Sequence, residues 1–109
     1  MPIPADEFPL HQAPYSLAHA ASSDRNFYDR SYWNAHDRSG EVFLITGLGQ
    51  YPNLGVTDAF ACIRRGDLQH TIRMSDVLGA DRMNQQVGPY RIEVIDPLNE
   101  LRITCDGKE

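Results

Sequence analysis

From residue 31 onward the chain breaks into short runs in which apolar and polar residues alternate, and this period-two pattern constrains the fold more than any other feature. Leu68, His70, Ile72 and Met74 fall on one side of such a run, while Gln69, Thr71 and Arg73 fall on the other. Successive side chains of an extended strand point to opposite faces, so the pattern specifies half-buried strands and not helices. Between the runs lie compact turn signals. Asp37-Arg38-Ser39-Gly40 has Asp leading and Gly closing, and Pro52-Asn53-Leu54-Gly55, Arg65-Gly66-Asp67 and Asp96-Pro97-Leu98-Asn99 are the others.

Strands are expected at Ser31 to His36, Glu41 to Tyr51, Thr57 to Arg64, Leu68 to Met74, Tyr90 to Ile95 and Glu100 to Cys105. Short connections pair sequential strands antiparallel, so the fold class is all-β, an up-and-down meander forming part of a barrel or sandwich. In Glu41 to Tyr51, Val42, Leu44 and Leu48 share one face and Phe43, Ile45 and Tyr51 the other. Apolar residues on both faces predict a strand covered on both sides. Gly47 and Gly49 in the same run mark a bulge, a bend or the close approach of another backbone. Residues 75 to 88 form the longest loop, with a helical turn expected near Ser75 to Leu78. The loop serves either as a lid over an open end or as a plain connection.

The first 25 residues are organised differently. They hold four of the seven prolines, Pro2, Pro4, Pro9 and Pro14. Proline removes a backbone donor and restrains its predecessor, so regular structure is not expected before about Tyr15. Phe8, Leu10 and Tyr15 are apolar enough to hold this arm against the domain. Ser16 to Ala21 is expected to form one helical turn, and Ser22 to Asp24 to cap a second over Asn26 to Arg30. The division is therefore a proline-rich arm, residues 1–25, and a β-meander, residues 26–109.

Charge narrows the range of partners. Lys plus Arg number 10 against 15 Asp plus Glu, a formal charge of -5. That balance repels phosphate backbones and anionic lipid, so neither nucleic acid nor a membrane surface is an expected partner. No run approaches the roughly 20 apolar residues of a spanning helix. The N-terminus lacks a basic segment followed by an apolar one, so no signal peptide is read and a cytoplasmic location is expected. Two cysteines far apart in sequence, Cys62 and Cys105, do not make the disulfide framework of a small secreted domain, and both are expected as buried free thiols.

The densest polar-aromatic cluster runs from Asn26 to Asp37. On a strand, Tyr32, Asn34 and His36 share one face and Trp33 and Ala35 the other. With Tyr51, the residues Tyr32, Trp33, Asn34 and His36 are the candidates for a pocket in which aromatic surface holds an apolar ligand and Asn or His orients it. The alternative has Trp33 as a core anchor and His36 closing the strand at a hairpin. Asp37 directly follows His36 and so points to the opposite face, badly placed to orient an imidazole as a base. His11 and His19 lack metal-ligand spacing, and His70 reads as a core histidine. Neither cysteine has a sequence neighbour that would lower its thiol pKa. Gly47-Leu48-Gly49 lacks the third glycine of a phosphate-binding loop. No metal or cofactor is expected, and no catalytic residue is assigned.

The stretch Phe27 to Asn53 resembles the N-terminal part of a group of uncharacterised actinobacterial proteins. More distantly it is similar to the carotenoid 1,2-hydratase and AttH-like family, in which two lipocalin-like β-barrel domains stand in tandem. Trp33 and Thr46-Gly47-Leu48 carry the likeness, with looser spacing than the family's compact motif. The resemblance implies a lipocalin-like domain whose first part is this chain, with further sequence beyond it. It implies binding of a small apolar molecule such as an isoprenoid, steroid or lipid-like compound. A hydratase or isomerase acting on a hydrophobic substrate is the alternative, and a fragment without independent activity is a third. The last strand, Glu100 to Cys105, is expected to present an exposed edge through which chains self-associate.

Overall fold

The alternating runs become strands. The structure is a computed structural model that describes residues 1–7, 22–81 and 83–106. Its strands are β1 (Asp29–His36), β2 (Val42–Tyr51), β3 (Val56–Arg65), β4 (Leu68–Val77), β5 (Gln86–Val87), β6 (Tyr90–Asp96) and β7 (Glu100–Cys105). All pair antiparallel in chain order, β1 to β4 in one sheet and β5 to β7 in another. The all-β meander read from the pattern is therefore the fold. Among the described residues no strand bridges the two sheets, so they face each other as open layers and close no barrel.

The turns explain the pairing. Gly66 adopts φ 58° at the first position of a two-residue loop, with Arg65 and Leu68 paired across it. A positive φ there matches the right-handed twist of the flanking strands, which is why glycine ends β3. Gly66 N also donates to Glu41 O at 3.0 Å, tying this hairpin to the start of β2. At the β1–β2 turn the Asp37 carboxylate accepts from Ser39 Oγ at 2.6 Å and from Val42 N at 3.1 Å. Asn53 Nδ2 donates to Ser22 O at 2.8 Å and Asp24 O at 2.6 Å, so the β2–β3 turn anchors the chain entering β1.

Four local expectations change. Ser75 to Val77 are strand and not a helical turn, because they continue the ladder opposite Asp58, Thr57 and Val56. Ser75 and Asp76 offer cap chemistry, but a partner strand already in register offers more backbone hydrogen bonds. The connection after β4 is correspondingly shorter, and it contains the small strand β5. No helical turn covers Asn26 to Arg30: a single turn at Arg25 and Asn26, with Phe27 N donating to Asp24 O at 3.1 Å and Asn26 N to Asp24 Oδ1 at 2.9 Å, leads into β1, which already holds Asp29 and Arg30. Near the N-terminus Pro4–Glu7 make one 3-10 turn, closed by Asp6 Oδ2 on Ile3 N at 2.8 Å. Proline fits the first position of such a turn because it needs no donor there. Glu7 accepts from the Leu98 amide in the β6–β7 turn, which holds these first residues against the second sheet. The turn expected at Ser16 to Ala21 and the packing of Phe8, Leu10 and Tyr15 lie outside the described residues.

The core sits between the sheets. Leu48 and Ala59 from the first sheet meet Val87, Tyr90 and Ile92 from the second, with Trp33, Met74, Val94 and Leu101 around them. On the opposite face of β2 the two glycines serve a side-chain purpose. A Cβ on Gly47 would meet the Phe60 ring and Ser31 O, each at 2.9 Å, and one on Gly49 would meet Arg30 Nη2 at 2.8 Å and Asp58 Oδ1 at 2.9 Å. Phe60 and Arg30 lie across the strand where side chains are missing. The close approach expected there comes chiefly from neighbouring side chains, and they shield this face in place of a second layer. Both cysteines are free, but neither is fully buried: Cys62 lies half-buried on that outer face and Cys105 is exposed at the end of an edge strand. No helix among the described residues is long and apolar enough to cross a membrane.

Candidate functional site

Cross-strand register sorts the inner face of the first sheet into successive rungs. Asp29, Gln50, Thr57 and Asp76 form one, followed by Ser31, Leu48, Ala59 and Met74. Trp33, Thr46, Ala61 and Ile72 come next, and then Ala35, Leu44, Ile63 and His70. Burial is nearly complete on the central residues of the first two rungs and fades toward the last, where Ile63 is 37% exposed. The second sheet sets Tyr90, Ile92 and Val94 of β6 beside Cys105, Ile103 and Leu101 of β7.

Where burial fades, the sheets enclose an open cavity of about 520 Å³, within the usual range for small-molecule sites. Leu44, Ile63 and Ile72 form one apolar wall and Ile103 the other. Ala61 lies between Thr46 and Ile72 on its rung, and its short side chain leaves the space. The polar lining is sparse: Thr46, Thr71, His70, Tyr90 and Cys105. No carboxylate, lysine or arginine lines it among the described residues.

Tyr90 closes the inner end. Its side chain is 0% exposed and its Oη has no hydrogen-bond partner. Burial pushes the phenol above its ordinary pKa, the Thr46 hydroxyl pulls it the other way and Cys105 adds to the rise. Thr46 Oγ1, however, gives its hydrogen to Phe60 O at 2.8 Å and makes no contact of hydrogen-bonding geometry with Oη. Thr71 Oγ1 is directed to Cys62 Sγ at 3.3 Å.

The residues singled out by pattern lie elsewhere. Tyr32, Asn34 and His36 share the outer face of β1, as expected, but that face is exposed and they do not line the cavity. The inner face is set by the core ladder, which takes Trp33 and leaves its neighbours outside. Trp33 is half-buried against the core, and its Nε1 is buried without a partner. His36 Nδ1 meets Asp37 O at 2.8 Å, a hairpin contact, while the Asp37 carboxylate is occupied by its own turn. The Ser39 hydroxyl and then the Val42 amide hold that carboxyl below its ordinary pKa.

Tyr51 belongs to a separate cluster on the outer face. Its hydroxyl accepts from Arg30, whose guanidinium also pairs with Asp58 at 2.9 Å and sits 5.8 Å from the Tyr51 ring centroid. Burial opposes the charge on Arg30, but Tyr51 and Asp58 outweigh it and raise its pKa. Tyr28 packs on Tyr51 with ring centroids 5.7 Å apart. Arg30, Tyr51 and Asp58 are partnered within the cluster, which makes it a brace between β1, β2 and β3.

Sequence reasoning passed over Tyr90, Ala61 and Ile103 as sites. The available signal was register: once β2 to β4 are aligned, Ala61 is the small residue on a rung of larger ones. No group of three or more His, Cys, Asp or Glu that could hold a metal ion occurs among the described residues. A family model described as a family of unknown function (DUF8625) matches residues 3–109. No curated protein and no solved structure matches.

Proposed function

The chain belongs to this family of unknown function, and we propose that it is a binding module for a small, neutral, apolar molecule held between its sheets. The carrying observation is the 520 Å³ cavity walled by Leu44, Ile63, Ile72 and Ile103. Magnitudes favour a neutral occupant. Each buried methylene gains about 0.8 kcal/mol, so an isoprenoid, steroid or lipid-like skeleton binds through area alone. A carboxylate placed there loses several kcal/mol of hydration with no lysine or arginine in the lining to offset it. The sequence resemblance at Trp33 and Thr46-Gly47-Leu48 to a lipocalin-like family implies the same ligand class.

A hydratase or isomerase finds less support. Such chemistry needs a proton donor and an oriented base near the substrate. The His36 and Asp37 pair meets through a backbone carbonyl on the exposed face, away from the cavity.

The test fills the cavity. Nile red, a neutral fluorophore, is titrated against the full chain and against Ala61→Leu. Saturable binding by the natural chain, lost in a variant with an unchanged melting temperature, is the expected result. Absence of saturable binding, or equal binding by the two, would overturn the reading.

A further inference from the structure

Tyr90 is the cavity group whose side chain is both fully buried and without a hydrogen-bond partner. A phenol sealed from water with no partner is costly, because it has given up hydration and gained nothing. Its position is specific, since the neighbours that act on it, Thr46 and Cys105, both line the cavity. Thr46 Oγ1 directs its hydrogen to Phe60 O, and Thr71 Oγ1 turns to Cys62 Sγ on the outer face. Tyr90 Oη, with no partner of hydrogen-bonding geometry, is the buried lining hydroxyl whose hydrogen is uncommitted among the described residues.

We infer that the ligand carries a neutral acceptor oxygen, a ketone or ester carbonyl, which takes the hydrogen of Tyr90 Oη while its hydrocarbon body lies along Ile72 and Ile103. The inference rests on the cavity being a ligand site. A ligand that only donates would leave the phenol hydrogen orphaned, and a pure hydrocarbon would leave the whole group so. A carbonyl exchanges a buried orphan for a made hydrogen bond, at the expense of a small turn of the ring toward the occupant. Burial holds the phenol in its protonated, donating form. A phenol donor opposite an otherwise apolar wall selects by one oxygen, since a group built to be hydrogen-bonded penalises the analogue that lacks its partner.

The experiment measures displacement of Nile red from the full chain by three competitors: androstan-3-one, androstane and laurate. The ketone is expected to compete roughly tenfold more strongly than the hydrocarbon of the same skeleton, as one recovered hydrogen bond implies. Tyr90→Phe should erase that difference between ketone and hydrocarbon. Equal competition by ketone and hydrocarbon in the natural chain overturns the inference with the cavity reading intact, and this comparison needs no variant. A ketone preference that survives in folded Tyr90→Phe overturns it too, as does laurate competing best. If Nile red itself does not bind, both readings fall together.

Discussion

The two ends of the first sheet's inner face are built from the same four strands and are finished in opposite ways. At one end Asp29, Gln50 and Thr57 are all buried, and Thr57 Oγ1 donates to Gly49 O at 2.9 Å. At the other end the neighbours Leu44, Ile63 and His70 face Ile103 across open space. The polar end is closed and the apolar end is open, the reverse of what water alone would favour. Buried polar groups are tolerated where their hydrogen bonds are made, as at Thr57. An uncovered apolar wall has no such compensation within the described residues, and the proposed ligand supplies it.

The largest expected effect separates the closed centre from the open end. Leu48→Ala, at a residue 2% exposed, should cost about 2–5 kcal/mol, as buried leucine truncations do. Ile63→Ala, at a residue 37% exposed, should cost about 1 kcal/mol or less. Chemical denaturation of both variants checks this. Similar losses would mean that the open end is as tightly packed as the centre.

Hydroxyl deletions sharpen the same contrast at smaller scale. Thr57→Val removes a made, buried hydrogen bond and should destabilise by about 1–2 kcal/mol. Tyr90→Phe removes a hydroxyl with no partner and should leave the unliganded chain unchanged or slightly more stable. Melting temperatures moving in the same direction by the same amount would break the comparison.

Much of this architecture was legible in the residues. Period-two alternation located the long strands to within a few positions, because a half-buried sheet face must repeat every second residue. Gly66 and the Asp37 to Gly40 turn marked their hairpins for equally local reasons. Ser75 to Val77 were harder, since their strand state depends on the β3 ladder and not on their own chemistry. The site was harder still. Trp33 and His36 drew attention as conspicuous residue types, whereas the cavity depends on a missing side chain at Ala61 and on Tyr90 arriving from another sheet. Absence and cross-sheet proximity leave no mark in a local pattern.

A subtler expectation concerns acid. Asp37 sits at the hairpin of the open end, and its carboxyl is held below its ordinary pKa, first by Ser39. A group with a depressed folded pKa contributes stability above its unfolded value and loses it as pH falls through the folded one. The β1–β2 turn should therefore loosen as pH falls below about 4. Amide resonances of Ser39 and Val42 followed through an acid titration report this, and Asp37→Asn should remove the pH dependence. The same pH dependence in Asp37→Asn as in the natural chain would show that this carboxylate does not hold the turn.

The central claim is that the open apolar end is the ligand site, and amide chemical shifts of the full chain titrated with androstan-3-one test it most directly. Saturating shifts concentrated at Ala61, Ile72, Tyr90 and Ile103, with Gln50 and Thr57 still, are the predicted result. Shifts confined to the exposed Tyr32, Asn34 and His36 face, or none at all, would contradict it.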